Sequence, residues 1–291
     1  MSYSTTNDFE NFVNALKPSL DDEELISQRY HSIVKRINKD YWDSDDDCKH
    51  GLYVGSHGRG TDIYTSDIDI VVSIPWRFYS KFNDYVDNKQ SAFLQDVKKT
   101  LKKTYSTTDL KGDGQVIVIS FSDGMKFEVV PAFEFDDGSF LYANTNNGGD
   151  WVSMNPRAEI NEFNYMNAKC NNNLKKICKM AREWNKKNNV LLEGIVLDCM
   201  CYYFLKDYEY NQKSYLYYDW MSRDFFSYLK DIEKKKWKVP GGNWYVEPKF
   251  GHKNEAQKSY EDSLNAIDYA KNDFEYLCKG KWRNIYGSKF W

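Results

Sequence analysis

The stretch GSHGRGTDIYTSDIDIVVSIP, residues 55–75, joins a Gly-Ser pair, a basic glycine-rich turn and two aspartates that lead straight into an apolar run. Ile68, Ile70 and Val72 alternate with Asp67, Asp69 and Val71, the period-two pattern of a strand whose successive side chains point to opposite faces. Asp67 and Asp69 therefore converge on one face, about 7 Å apart along the strand. Like charges so placed repel one another unless a cation lies between them. Magnesium suits the position, because it takes hard oxygen ligands and is often shared with substrate phosphates. A two-metal arrangement needs a third carboxylate. Glu128 in KFEVVPAF is the candidate, since it lies in a β-rich run able to pair beside the first strand. Ahead of the acids, Gly55 allows close backbone approach, and the Ser56 hydroxyl with amides at a helix start offers donors to phosphate oxygens. Arg59 and Thr61 add further donors.

The surrounding chain reads as an α+β molecule with two lobes. Residues 8–42 have helical periodicity, with a Ser-x-x-Asp cap at Ser19 and an apolar stripe through Ile26, Tyr30, Ile33 and Ile37. GLYVGS, residues 51–56, is a short strand entering the Gly-Ser turn, and residues 91–104 form an amphipathic helix with lysines outside. GQVIVISFSDGMKFEVVPAFEF, residues 114–135, is two strand-like runs joined by Ser-Asp-Gly, a hairpin signal. Residues 137–156, rich in Gly and Asn, read as a loop. From 157 onward the periodicity is helical, interrupted by a loop at 239–254 and closed by one long helix at 256–282. The expected domains are residues 1–156, a strand-bearing core preceded by its long helix, and residues 157–291, a helical lobe.

Hydrophobic residues at 41% and charged residues at 29% describe a globular chain rather than a disordered one. A net charge of -3 gives no bulk attraction to nucleic acid, although a local basic cleft is compatible with it. The first residues, MSYSTTNDFENFVNALK, lack the apolar core of a secretory signal, and no apolar run reaches about 18 residues, so we expect a cytoplasmic protein without a membrane span. The six cysteines are scattered, as in a reduced protein, and Cys199-x-Cys201 lacks the spacing of a zinc motif.

At Gly55-Ser56, Asp67-x-Asp69 and Glu128 the sequence resembles the nucleotidyltransferases of the polymerase-β-like superfamily. Within it, the stretch is most similar to the bacterial cGAS/DncV-like nucleotidyltransferases (CD-NTases) of the SMODS type, the cyclic-oligonucleotide synthases of CBASS anti-phage defence. KFEVVPAFEF resembles their third-acid strand, DWVSMNPRAE the segment that follows it, ICKMAREWNKKN a helix that usually carries Lys-x-Trp, and KWRNIYGSKFW their closing motif, with Tyr286 in place of Phe. The resemblance implies a polymerase-β-like core plus a C-terminal helical lobe, with the active site in the cleft between them. It implies that Asp67, Asp69 and Glu128 ligate two Mg2+ ions (Mn2+ as substitute), and that Glu128 helps deprotonate the attacking ribose hydroxyl. Gly55, Ser56 and Arg182 would bind nucleotide, Arg182 standing where a Lys is common. The implied reaction joins nucleoside triphosphates into a cyclic di- or trinucleotide, releases pyrophosphate, and signals to a separate effector. Activating RNA or a regulatory protein is an open partner. Two other functions stay open at this point: transfer of one nucleotide to RNA, protein or a small molecule, and an inactive module that senses nucleotide or RNA.

Overall fold

The computed structural model describes residues 2–65, 67–85, 88–233, 236–249 and 251–291. The chain begins with α1 (Thr6–Ala15) and α2 (Leu20–Ile37), followed by β1 (Gly51–Tyr53), α3 (Gly55–Arg59) and β2 (Ile68–Ser73). Next come α4 (Tyr79–Asn83), α5 (Lys89–Lys102), β3 (Asp109–Asp113), β4 (Val116–Ser120), β5 (Lys126–Glu134), β6 (Phe140–Asn144) and β7 (Asp150–Met154). The remainder is α6 (Pro156–Lys169), α7 (Asn173–Lys187), α8 (Gly194–Asp207), α9 (Tyr218–Asp231), the short β8 (Trp237–Lys238) and β9 (Tyr245–Val246), α10 (Lys253–Lys271) and α11 (Glu275–Tyr286).

Two compact units emerge, and they do not follow the simple N-terminal/C-terminal cut expected from sequence. One comprises Ser19–Gly58 and Thr65–Ile160; the other comprises Met1–Pro18, Arg59–Tyr64 and Asn161–Trp291. The reason for the difference is aromatic. Phe9 and Phe12 on α1 are fully buried, Phe9 with its ring 5.0 Å from Trp282 and Phe290, Phe12 4.8 Å from Tyr286, so α1 belongs to the helical unit.

The sheet-bearing unit is built on a mixed sheet of order β1-β2-β5-β4-β3, with β6 on β5 and β7 on β6. β2 and β5 run parallel, with Ile68 opposite Phe127 through Ser73 opposite Ala132; the other pairs are antiparallel. One face carries Ile68, Ile70, Val72, Ile117, Ile119, Phe127 and Val129, which pack with Ile33, Val34 and Ile37 of α2 and Phe93, Val97 and Leu101 of α5. Each such buried aliphatic or aromatic side chain contributes roughly 1.5–3 kcal/mol. α2 starts where its cap predicts: the Ser19 hydroxyl accepts from the Asp22 amide at 3.1 Å and Asp22 reaches back to the Ser19 amide at 3.3 Å.

Two expectations are corrected. Residues 137–156 are not a loop but carry β6 and β7, because the second half of β5 leaves a free edge at Ala132–Glu134 that β6 occupies. The closing helix at 256–282 is two helices, broken at Asn272–Phe274, where Asp273 has φ +62. Among the described residues, no helix is long and apolar enough to cross a membrane.

Candidate active site

The parallel register of β2 and β5 sets two of the predicted acids side by side, Asp69 directly opposite Glu128. Alternation along each strand puts both on the face opposite the Ile68–Ile70–Val72 core. A hydrogen bond links their carboxyls, and Asp67, immediately before β2, is near enough for its charge to act on Glu128. Glu128 is half-buried. Burial above all, then the charge of Asp67, pushes its carboxyl above the usual carboxylate range, while the hydrogen bond to Asp69 pulls it back. Asp113, at the end of β3, adds a smaller repulsion and Lys126 a smaller relief. The three acids therefore act as one electrostatic group. Sequence reading missed Asp113, because β3 has one buried residue, Leu110, and little strand signal.

Gly55 and Ser56 open α3 directly after β1. The ladder continues past β1, the Val54 amide donating to the Asp69 carbonyl at 2.9 Å. Gly55 has φ +59, and a Cβ built on it would overlap the Asp69 carboxylate, with Asp69 Cγ at 2.6 Å. Glycine alone meets both conditions. The backbone of the predicted phosphate cradle thus lies against one of the acids, and Ser56, next along, is buried. All donors of the acid group are carboxylate oxygens, and their mutual repulsion is what a divalent cation relieves, so the residues fit magnesium or manganese.

Arg182, Arg59 and Thr61 are used differently from the expectation. Within the helical unit all three meet Asp198 of α8, which is fully buried. Asp198 Oδ2 accepts from Arg182 Nη2 at 2.8 Å, Arg59 Nη2 at 3.1 Å, Arg59 Nε at 3.2 Å and Thr61 Oγ1 at 2.7 Å. Arg182 Nη2 also reaches the Gly194 carbonyl at 3.2 Å, and burial leaves its side chain 12% exposed. The guanidinium neutralises a buried carboxylate instead of presenting its donors to solvent. Asp198 itself escaped sequence reading, although a lone acid inside the apolar run GIVLDCMCYY signals a buried partner. Beside this cluster Lys179 pairs with Asp62, Nζ to Oδ1 3.3 Å. Trp184 and Trp282 are fully buried in the helical core.

Residues 1–167, more than half of the chain, match the model of the Second Messenger Oligonucleotide or Dinucleotide Synthetase (SMODS) domain. The chain belongs to this family. As a SMODS member it is a nucleotidyltransferase of the cyclic nucleotide synthase kind. A probable cyclic nucleotide synthase of Bacillus cereus strain VD146 is similar at 25% identity over 255 residues, 80% of this chain and 74% of the relative. The fold is shared with Vibrio cholerae DncV cyclic AMP-GMP synthase in complex with a linear intermediate, at a TM-score of 0.76 and 12% identity over 100% of this chain and 97% of that one. It is also shared with E. coli MS115-1 CdnC solved with ATP, at a TM-score of 0.67 and 14% identity over 100% and 99% of the two chains.

Proposed function

We propose that this SMODS protein condenses nucleoside triphosphates into a cyclic di- or trinucleotide messenger, in the cytoplasm, as the synthase of a CBASS defence system with a separate effector. The observation that carries the proposal is the pairing of Asp69 with Glu128, with Asp67 acting on Glu128 and Gly55 pressed on Asp69. In each round a ribose hydroxyl oxygen attacks an α-phosphorus, the new O–P bond forms, the α–β bridging P–O bond breaks and pyrophosphate leaves. Glu128 takes the hydroxyl proton on a carboxylate oxygen. Gly55 and Ser56 hold the triphosphate through backbone amide and hydroxyl. Asp67, Asp69 and Glu128 would hold magnesium, which would supply positive charge to offset that building on the phosphoryl oxygens. Arg182 contributes indirectly, by sharing Asp198 with Arg59, the last residue of α3, and with Thr61.

The test incubates the protein with labelled ATP, GTP, CTP and UTP and magnesium, treats the products with phosphatase and reads them by mass spectrometry. A phosphatase-resistant cyclic product supports the proposal. Label on RNA, protein or another small molecule would replace it with single-nucleotide transfer, and absence of metal-dependent pyrophosphate release would leave a sensing module.

A further inference from the structure

Away from the three acids, the sheet-bearing unit holds a second group of ligand atoms with a different chemistry. His31 on α2 meets Asp47 and Cys48, which lie in the turn ahead of β1. His31 Nδ1 is 3.6 Å from Cys48 Sγ and 3.6 Å from Asp47 Oδ1, and Cys48 Sγ is 3.2 Å from that same carboxylate oxygen. A tetrahedral zinc ion, with about 2.3 Å to sulfur and about 2.0–2.1 Å to nitrogen and oxygen, holds such atoms about 3.3–3.6 Å apart. The three separations are already close to the edges of that tetrahedron. The turn is also set: Asp46 accepts the amides of Cys48 at 2.9 Å and Lys49 at 2.7 Å, which presents Asp47 and Cys48 toward α2.

We propose that His31, Asp47 and Cys48 form a zinc site, with water in the fourth position. Imidazole and thiolate select a borderline-soft ion over magnesium, so this site and the three acids sort different metals by donor type. His31 and Asp47 side chains are 38% and 52% exposed, which leaves a solvent-facing coordination position and an entry path. On binding, the Cys48 thiol loses its proton to solvent. His31 Nδ1, now 3.0 Å from the Asp47 carbonyl oxygen, turns its lone pair to the metal and carries its proton on Nε2. The ion ties α2 to the turn that feeds β1 and hence Gly55-Ser56.

Cys48 is exposed and Cys170, Cys178, Cys199, Cys201 and Cys278 are buried, so alkylation of the native chain reports one thiol. Reduced, chelator-stripped protein is treated with iodoacetamide with and without zinc chloride, and Cys48 labelling is followed by mass spectrometry. Zinc should slow labelling at least about 10-fold in the wild type and in Asp67→Asn/Asp69→Asn, because bound thiolate is masked. In His31→Ala the zinc needed for protection should rise about 10-fold or more. Cobalt(II) should give a sulfur-to-metal charge-transfer band in the wild type and none in Cys48→Ser. Labelling that zinc does not slow, protection that is equal in His31→Ala, or a cobalt band that persists in Cys48→Ser overturns the site.

Discussion

Two carboxylate centres in this protein meet burial in opposite ways. Asp198 is fully buried and draws the guanidinium groups of Arg59 and Arg182 and the Thr61 hydroxyl onto one oxygen, so its charge is answered from within the chain. Glu128 is half-buried; burial first and then the charge of Asp67 push its carboxyl above the usual range, while its hydrogen bond to Asp69 pulls it back. A fold that supplies the countercharge has built a strut. A fold that gathers carboxylates on one face has built a place for an outside cation, and that contrast separates structure from chemistry here.

The contrast is broken most directly by neutralising each side. Asp67→Asn or Asp69→Asn should lower pyrophosphate release at least about 10²–10³-fold, and Asp67→Asn should leave the thermal midpoint of metal-free protein unchanged or higher, since it removes a charge that acts against Glu128. Equal turnover in both variants would end the assignment of the acids. Asp198→Ala should do the reverse, costing about 3–5 kcal/mol in denaturant unfolding by stranding two buried guanidiniums. A variant as stable as the wild type would show that the Asp198 cluster is not a strut.

Gly55→Ala probes the join of cradle and acids. With φ +59 and the Asp69 carboxylate in the way, the substitution should cost about 1–3 kcal/mol in strain and depress activity through Asp69, read by parallel unfolding and pyrophosphate assays. An Ala variant that retains full stability and activity would mean the close approach is not required.

The smallest effect is a pH dependence. Glu128 binds its proton more tightly in the folded than in the unfolded chain, so its ionisation disfavours folding. Its contribution is therefore fully present below the unfolded carboxylate pKa and is lost as pH rises through the raised folded value. In metal-free protein, Glu128→Gln should melt at or above the wild-type temperature near neutrality, and that advantage should shrink as pH falls toward the ordinary carboxylate range. Added magnesium should raise the wild type more than the variant. A gap that ignores both pH and magnesium would separate Glu128 from the metal-binding group.

The acid stretch was legible because short-range rules govern it. Alternation alone puts Asp67 and Asp69 on one side, and the β-branched run of β2 announces a strand with its other face in the core. β6 and β7 were not legible: Thr145–Gly149 has turn chemistry, and the flanking runs become strands only because β5 outruns β4 and offers an edge. The break between α10 and α11 has neither Pro nor Gly to mark it, resting instead on Asp273 in the left-handed region. Arg182 was expected from the resemblance to contact nucleotide, and a partner sixteen residues away on the next helix turned it inward.

From its own pattern the chain dictates the identity of the acids, their common face and the glycine that precedes them, because those follow from side-chain periodicity and local backbone freedom. Long-range packing sets Glu128 opposite Asp69 rather than a residue to either side, crowds Asp69 against Gly55 and turns Arg182 inward. Register, close approach and charge pairing depend on what distant segments bring to the same few ångströms, and no local rule encodes that.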